Sequence, residues 1–156
     1  MVLTKMEYTD LERFNTMTQE NAAKAAAAAR AAWLLEFDEP DQLDIMVGKT
    51  MQFTREVVSN ADAIKRMAVE NSFSGIKDYL SNNLDKLISI ANEKTVLLVN
   101  RDKTNDVSMA REAADAAKNV KDEANIVFKM FVSPLKDGHA ADLERERAVA
   151  ARAAVA

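Results

Sequence analysis

Several cationic side chains and one tryptophan fall near the same end of the predicted helices, where together they could bind a small organic anion. The predicted ligand-binding residues are Arg30, Trp33, Lys49 and Arg111, and further cations of this region are Arg55, Lys94 and Arg101. A guanidinium can hold a carboxylate through two parallel hydrogen bonds. Trp33, one helical turn from Arg30, would cover an apolar part of the same ligand. The alternative is ordinary solvated ion pairing, such as Arg111 with Asp115 four residues later.

Residue types that support catalysis or metal binding are scarce. The chain has no cysteine and a single histidine, which excludes disulfides, thiolate catalysis and sulfur-bound metals. Di-iron helical bundles need inward-facing Glu and His pairs, whereas His139 lies in the C-terminal tail and is expected to be solvated. The sequence has neither a nucleophile elbow nor a Gly-rich phosphate loop. We therefore expect no enzymatic activity, no cofactor and no metal, and we interpret the methionines as core-filling residues.

A second candidate feature is a set of polar residues that fall at one depth along the predicted helices, in part on their apolar faces. This set consists of Thr18, Asn21, Asn60, Asn83 and Asn119. Buried polar groups must hydrogen-bond internally, or hold water or a ligand. The simpler interpretation is that they specify the register of the helices, as a buried Asn does in a coiled coil.

Composition favours long helices and limits the possible partners. The 156 residues include only three Gly and two Pro, and 29% are charged, which suits a single helical domain with short turns. A net charge of −4 argues against nucleic acid as a partner. No run of about 18 apolar residues is present, so no segment of this sequence is expected to span a membrane. The N-terminus lacks the pattern of a secretory signal.

The first two helices are predicted at residues 4–36 and 40–70, with Pro40 at a first helical position. Apolar and small residues recur at alternating spacings of three and four in both, as on one face of an α-helix. In the first helix this face comprises Leu11, Phe14, Thr18, Asn21, Ala25, Ala28, Ala32 and Leu35. In the second it comprises Leu43, Met46, Thr50, Phe53, Val57, Asn60, Ile64 and Met67. Arg30 lies between Ala28 and Ala32, which places it beside the core and favours a groove over an enclosed cavity.

The third helix is predicted to begin after a break at residues 71–75, with Ser72 or Ser74 as its N-cap, and to end at Val99. The alternative is that the second and third helices are continuous through this break. Its segment Tyr79–Val99 is the most apolar of the chain, so we expect the other helices to pack around it. The expected inner face comprises Leu80, Leu84, Leu87, Ala91 and Leu98, widened by Ile88, Ile90, Val96, Leu97 and Val99.

A reversal is predicted at residues 100–106, because the apolar faces on either side of it are out of phase. The inner face of the fourth helix comprises Ala110, Ala113, Ala117, Val120, Ala124, Val127 and Phe131, and Pro134 ends that helix. The predicted fold is all-α, an antiparallel up-down-up-down four-helix bundle over residues 1–134. Residues 135–156 are a C-terminal tail or short helix, which serves as a stalk, a docking segment or a cloning remnant.

Two stretches resemble the helical-bundle sensor domains of methyl-accepting chemoreceptors and related sensor kinases. One is residues 73–117, with the spacing Ile76, Tyr79-Leu80, Leu84 and Leu87, and the other is AAAAARAAWLLEFDEPDQLD at residues 25–44. The similarity covers roughly residues 5–132. It implies an extracytoplasmic, periplasmic domain between two membrane spans outside this chain, a homodimer, a small-molecule ligand between helices, and signalling by displacement of the last helix.

The sequence thus predicts a sensor domain that binds a small organic anion and forms a homodimer. We expect the dimer because alanines on the first and fourth helices let a partner helix approach closely. The alternative is a cytoplasmic helical scaffolding or assembly protein with no small-molecule ligand. The two differ in gene context, since a sensor domain lies between transmembrane segments.

Overall fold

The computed structural model describes residues 5–35, 40–70, 76–100 and 106–132. They form α1 (Lys5–Leu35), α2 (Pro40–Glu70), α3 (Ile76–Asn82), α4 (Leu84–Val99) and α5 (Asp106–Val127), and α5 continues into a π-helical turn at Phe128–Val132. No strand occurs within these ranges, which confirms the all-α prediction. The helices pack into a compact, bundle-like structure.

The long helices α1 and α2 agree closely with the sequence-based boundaries. Alanine, which has the highest helix propensity of the amino acids, dominates the second half of α1, and α2 begins at Pro40. A proline is well suited to a first helical position because its fixed backbone angle is already helical. The turns predicted at residues 37–39 and 71–75 lie outside the described residues, as do the tail at 135–156 with His139 and residues 101–105 of the reversal predicted at 100–106.

The predicted third helix is interrupted at Asn83, which separates α3 from α4. The backbone of Asn83 has φ −123° and ψ −79°, outside the α-helical region. Its side-chain Nδ2 donates to the carbonyl of Tyr79 at 2.8 Å, the same carbonyl that accepts the Asn83 backbone N–H at 3.1 Å. Asn side chains compete with the backbone for hydrogen bonds in this way, which accounts for an interruption that the apolar periodicity did not reveal.

The core consists mainly of small side chains, with a few large ones. Ala25, Ala32, Ala113 and Ala117 are fully buried, so the backbones of α1 and α5 come close to their neighbours. The largest fully buried side chains are Leu11, Ile64, Leu80, Leu84 and Leu98. The predicted inner faces of the helices are largely confirmed, although Phe14, Leu43, Met46, Phe53, Met67 and Leu87 are only partly buried and pack against the core from its margin.

The prediction that Tyr79–Val99 lies at the centre was wrong. The helices α2 and α5 each pack against α1, against α4 and against each other, whereas α4 packs mainly on α5 and α2. As a result α4 buries one face only, and four of its large apolar side chains are exposed by 43–58%: Ile90, Val96, Leu97 and Val99. Apolar composition suggested burial on several sides, but the position of α4 in the bundle leaves its outer face uncovered.

The polar residues on the helical faces do not form a shared layer. Thr18 donates to the carbonyl of Asn15 at 2.7 Å, and Asn60 donates to the carbonyl of Glu56 at 2.8 Å. Each of these bonds is made within one helix, and Asn83 donates to the carbonyl of Tyr79 four residues earlier. Asn21 is half-buried and Asn119 is exposed, so these side chains form neither a shared register-specifying layer nor, as in the alternative, a layer that holds water or a ligand. Thr18, Asn60 and Asn83 instead donate to nearby backbone carbonyls.

Candidate functional site

A groove of about 420 Å³ lies between α1 and α5. Its lining consists of small apolar side chains, two guanidinium groups, one carboxylate and an indole: Ala26, Ala29, Arg30, Trp33, Val107, Arg111, Ala114 and Asp115. This volume lies toward the lower end of the range for small-molecule sites, roughly 300–1,000 Å³. The groove is therefore large enough for a small organic molecule.

Helical periodicity explains why these residues share one groove. On α1 the lining positions 26, 29, 30 and 33 follow the spacing i, i+3, i+4, i+7, and on α5 the positions 107, 111, 114 and 115 follow i, i+4, i+7, i+8. Each set occupies a single helical face. Ala29 and Ala114 are buried and form the floor because they carry no atoms beyond Cβ. The longer side chains of Arg30, Trp33 and Arg111 are exposed at the rim.

The electrostatics of the groove favour an anion. Two guanidinium groups, those of Arg30 and Arg111, oppose the single carboxylate of Asp115. Among the described residues, no ion pair joins Arg111 to Asp115, and the intrahelical pairs that do occur lie elsewhere, such as Arg66 with Asp62 at 2.6 Å. The expected alternative of an Arg111–Asp115 ion pair is thus not realised. Both guanidinium groups are exposed to solvent, so an incoming anion can reach them.

Three of the four predicted site residues, Arg30, Trp33 and Arg111, line the same groove. Lys49 does not; it is exposed on α2, and the described residues that line the groove all belong to α1 and α5. Arg55 is likewise exposed on α2.

Two other cations of the predicted region contribute nothing to the groove. Lys94 lies 3.5 Å from Glu112 and so joins α4 to α5. Arg101 lies outside the described residues. The sequence places these cations at a similar distance from the end of the bundle as Arg30 and Arg111. That distance does not specify which side of the bundle a residue occupies.

A polar contact between α1 and α5 was not predicted from the sequence. It lies on the N-terminal side of the alanine-rich part of α1. Asn15 is buried, and its Nδ2 donates to Oδ1 of Asn125 at 3.1 Å. Nε2 of Gln19 approaches the same oxygen at 3.4 Å. Oδ1 of Asn15 has no hydrogen-bond partner within the described part of the chain. This contact fixes the two helices that form the groove relative to each other.

A second interhelical contact holds α3 against α5. The Tyr79 hydroxyl donates to Oε1 of Glu123 at 2.9 Å. Burial raises the pKa of the Tyr79 phenol above its usual 10.0, and the hydrogen bond and the negative charge of Glu123 raise it further. In the π-helical turn that follows α5, the ring of Phe128 lies 5.8 Å from that of Tyr8. Together these contacts join the C-terminal end of α5 and this turn to α1 and α3.

The described ranges contain no group of three or more His, Cys, Asp or Glu residues that could hold a metal ion. No described helix combines the length and the apolar character needed to cross a bilayer. No family model, no curated protein and no solved structure matches this chain. The resemblance to chemoreceptor sensor domains therefore rests on the sequence pattern alone.

Proposed function

We propose that this chain is a sensor domain of a chemoreceptor or sensor kinase and binds a small organic anion in the groove between α1 and α5. The observation that carries the proposal is that Arg30, Trp33 and Arg111, from two different helices, line one groove with an alanine floor. Such a domain lies outside the cytoplasm, between membrane spans that are not part of this chain, and reports the ligand to a signalling partner.

The proposal includes an antiparallel up-down-up-down arrangement of four helices, the third of which is α3 with α4. The contacts along α1 and α5 support it. Asn15 of α1 contacts Asn125 of α5. Arg30, fifteen residues after Asn15, shares the groove with Arg111, which lies fourteen residues before Asn125. Rising numbers on one helix thus pair with falling numbers on the other. The third helix shows the same antiparallel relation to α5. Tyr79 of α3 contacts Glu123, and Lys94, later in the chain on α4, contacts Glu112, which is earlier on α5.

Carboxylate binding follows from the chemistry of the two guanidinium groups. A carboxylate leaving water must regain its hydrogen bonds from fixed donors. Arg30 and Arg111 can each supply two parallel N–H groups, and charge-assisted bonds of this kind are roughly twice as strong as neutral ones. The rim position of both residues avoids the large desolvation cost of an enclosed ion pair.

Ligand binding would act on the relative position of α1 and α5. A single anion held by both guanidinium groups connects the two helices, and a bound state that favours one spacing shifts the population toward that spacing. The groove has a floor of alanines, so few interlocking side chains oppose a small sliding motion. Displacement of α5, the last described helix, is the proposed signal. We further propose that the domain acts as a homodimer.

The proposal is tested by thermal unfolding in a panel of small organic anions. A ligand present at about 100 times its Kd stabilises the folded state by about 2.7 kcal/mol, which corresponds to a rise of several degrees in Tm. We expect this rise in the original chain and its loss in Arg30→Ala, with the Tm in the absence of ligand nearly unchanged because Arg30 is exposed. Arg55→Ala, which removes an exposed guanidinium from α2, is the matched control and should keep the full rise. A panel without any rise, or an equal rise in Arg30→Ala, would contradict the proposal.

A second candidate function is favoured by the exposed apolar face of α4. Ile90, Val96 and Leu97 are exposed by 44%, 58% and 43%, and an apolar patch on a helix commonly marks a protein–protein contact. This favours the alternative of a helical assembly protein, in which a second copy of the chain covers α4. Because the proposed sensor domain is itself a homodimer, the effect of a substitution on α4, measured by sedimentation, distinguishes the two. Assembly through α4 predicts oligomers that Leu97→Glu dissociates and that the control Ser59→Glu, at an exposed polar position of α2, leaves intact.

A further inference from the structure

The rim of the groove carries a large aromatic surface that no described neighbour covers. Trp33 is 62% exposed although it is the only tryptophan of the chain. It follows Arg30 by three residues and therefore extends from the same face of α1. Exposing an indole is unfavourable in water. A ligand that covers the ring while reaching a guanidinium would remove this cost.

Apart from the charged groups and the indole, the described lining of the groove is apolar and consists of short side chains. Ala26, Ala29 and Ala114 contribute only methyl groups. A flat ring can lie against such a floor with one face and meet the indole with its other face or its edge. A puckered aliphatic ring of the same carbon number is thicker and lacks the electrostatic attraction between aromatic rings.

Among the described lining residues, the balance of charges favours a ligand with one negative group. Arg30 and Arg111 together carry two positive charges, and Asp115 carries one negative charge in the same groove. A single carboxylate balances the remaining positive charge. A second carboxylate on the ligand would meet the repulsion of Asp115 at short range.

We propose that the ligand of this groove is a planar aromatic monocarboxylate, whose carboxylate is held by Arg30 and Arg111 and whose ring packs between Trp33 and the alanine floor. This inference rests on the proposed function, because it specifies the ligand class of the same groove. Recognition would divide between the two parts of the molecule: the arginines select the charge, and Trp33 selects the ring.

The test uses benzoate, cyclohexanecarboxylate and benzamide as probes of the full chain. Cyclohexanecarboxylate keeps the charge and the carbon number of benzoate but removes the aromatic ring, and benzamide keeps the ring but removes the charge. Binding is measured by calorimetry, and in the original chain also by fluorescence excited at the single tryptophan. We expect benzoate to bind about 3- to 10-fold more tightly than cyclohexanecarboxylate, as aromatic pairing energies indicate, and benzamide to bind more weakly than both.

Two variants of Trp33 complete the test, and both should fold because the side chain is exposed. Trp33→Leu should remove the preference for benzoate while cyclohexanecarboxylate still binds, and Trp33→Phe should retain most of it. Equal binding of benzoate and cyclohexanecarboxylate by the original chain would overturn this inference and leave the proposed anion site standing. Benzamide binding as tightly as benzoate would overturn both. No binding of either carboxylate would overturn this inference, and the anion panel then decides whether the proposed function stands.

Discussion

Asn15 on α1 donates a hydrogen bond from its buried carboxamide to Oδ1 of Asn125 on α5, at 3.1 Å. The two helices that share this contact are those that carry Arg30 and Arg111 into one groove. The amide pair therefore lies where it can set the register of the site. A shift of one residue along α5 would move Arg111 about 1.5 Å along the axis and rotate it by about 100°.

Because the contact joins two helices, Asn15→Ala and Asn125→Ala should show coupled effects on stability. Each change removes the bond between the two carboxamides, although Gln19 still approaches Oδ1 of Asn125 after Asn15→Ala, so we expect Asn15→Ala to lower the free energy of unfolding by about 1 kcal/mol. The double variant should cost less than the sum of the single variants by about 0.5–1.5 kcal/mol. Urea denaturation of the four proteins measures the coupling. Strict additivity would show that the contact contributes no net energy.

The core of α4 provides a direct check of which face is buried. Leu84 is fully buried, whereas Leu87, one turn later, is only partly buried. Leu84→Ala should therefore lower the free energy of unfolding by about 2–5 kcal/mol, and Leu87→Ala should cost less because fewer contacts are lost and the space stays open to water. A denaturant melt in which Leu87→Ala is the more damaging change would mean that α4 is rotated from the described orientation.

Gly48 is a site where the chain should gain stability. It lies within α2, and a Cβ added at this position would meet nothing within 4 Å. Glycine inside a helix costs about 0.8–1 kcal/mol relative to alanine because of its greater backbone freedom in the unfolded chain. Gly48→Ala should raise the free energy of unfolding by about that amount in urea. A loss of stability would show that a neighbour fills the space beside this residue.

Tyr79 should make the stability of the chain fall at alkaline pH. Its pKa is raised in the folded state by burial and by Glu123, so the phenolate forms more readily in the unfolded chain. The stabilising effect of the neutral phenol is fully present below the unfolded pKa of 10.0 and is lost as the pH rises through the folded pKa. Tyr79→Phe should remove this part of the alkaline decline. If both proteins decline equally above pH 10, the hydroxyl does not contact Glu123 in solution.

The helical faces were predictable because apolar and small residues recur at three and four, and that pattern identifies α1, α2 and α5 well. On α4 the periodic residues Leu84, Ala91 and Leu98 are buried as predicted, but the residues expected to widen that face, such as Val96 and Val99, lie outside the core. Residue type indicates a preference for burial, but the number of neighbours around a helix depends on how all helices pack. The contact of Asn15 with Asn125 was not predicted because the buried face of α1 is wider than the predicted one. Asn15 is buried together with Leu11 and Thr18.

The groove could be predicted in part. Arg30 and Arg111 share it because both lie beside the alanine faces of helices that pack together, and this could be read from helical phase. Lys49 was included by its distance along the bundle, although α2 does not line the groove. The role of Asp115 also differs from the expected one, because it lies in the groove without an ion pair to Arg111 among the described residues. Side-chain conformation at an exposed rim is not encoded in helical spacing.

The indole N–H of Trp33 offers the most direct measurement of the central claim, that the groove between α1 and α5 binds an organic anion. Because the chain has one tryptophan, this proton gives a single resolved signal in a nitrogen-correlated NMR spectrum. If benzoate binds in the groove, it should shift this signal saturably in the original chain and in the control Arg55→Gln. The shift should disappear in Arg111→Gln. An indole signal that benzoate does not move, or that moves equally in Arg111→Gln, would contradict the account.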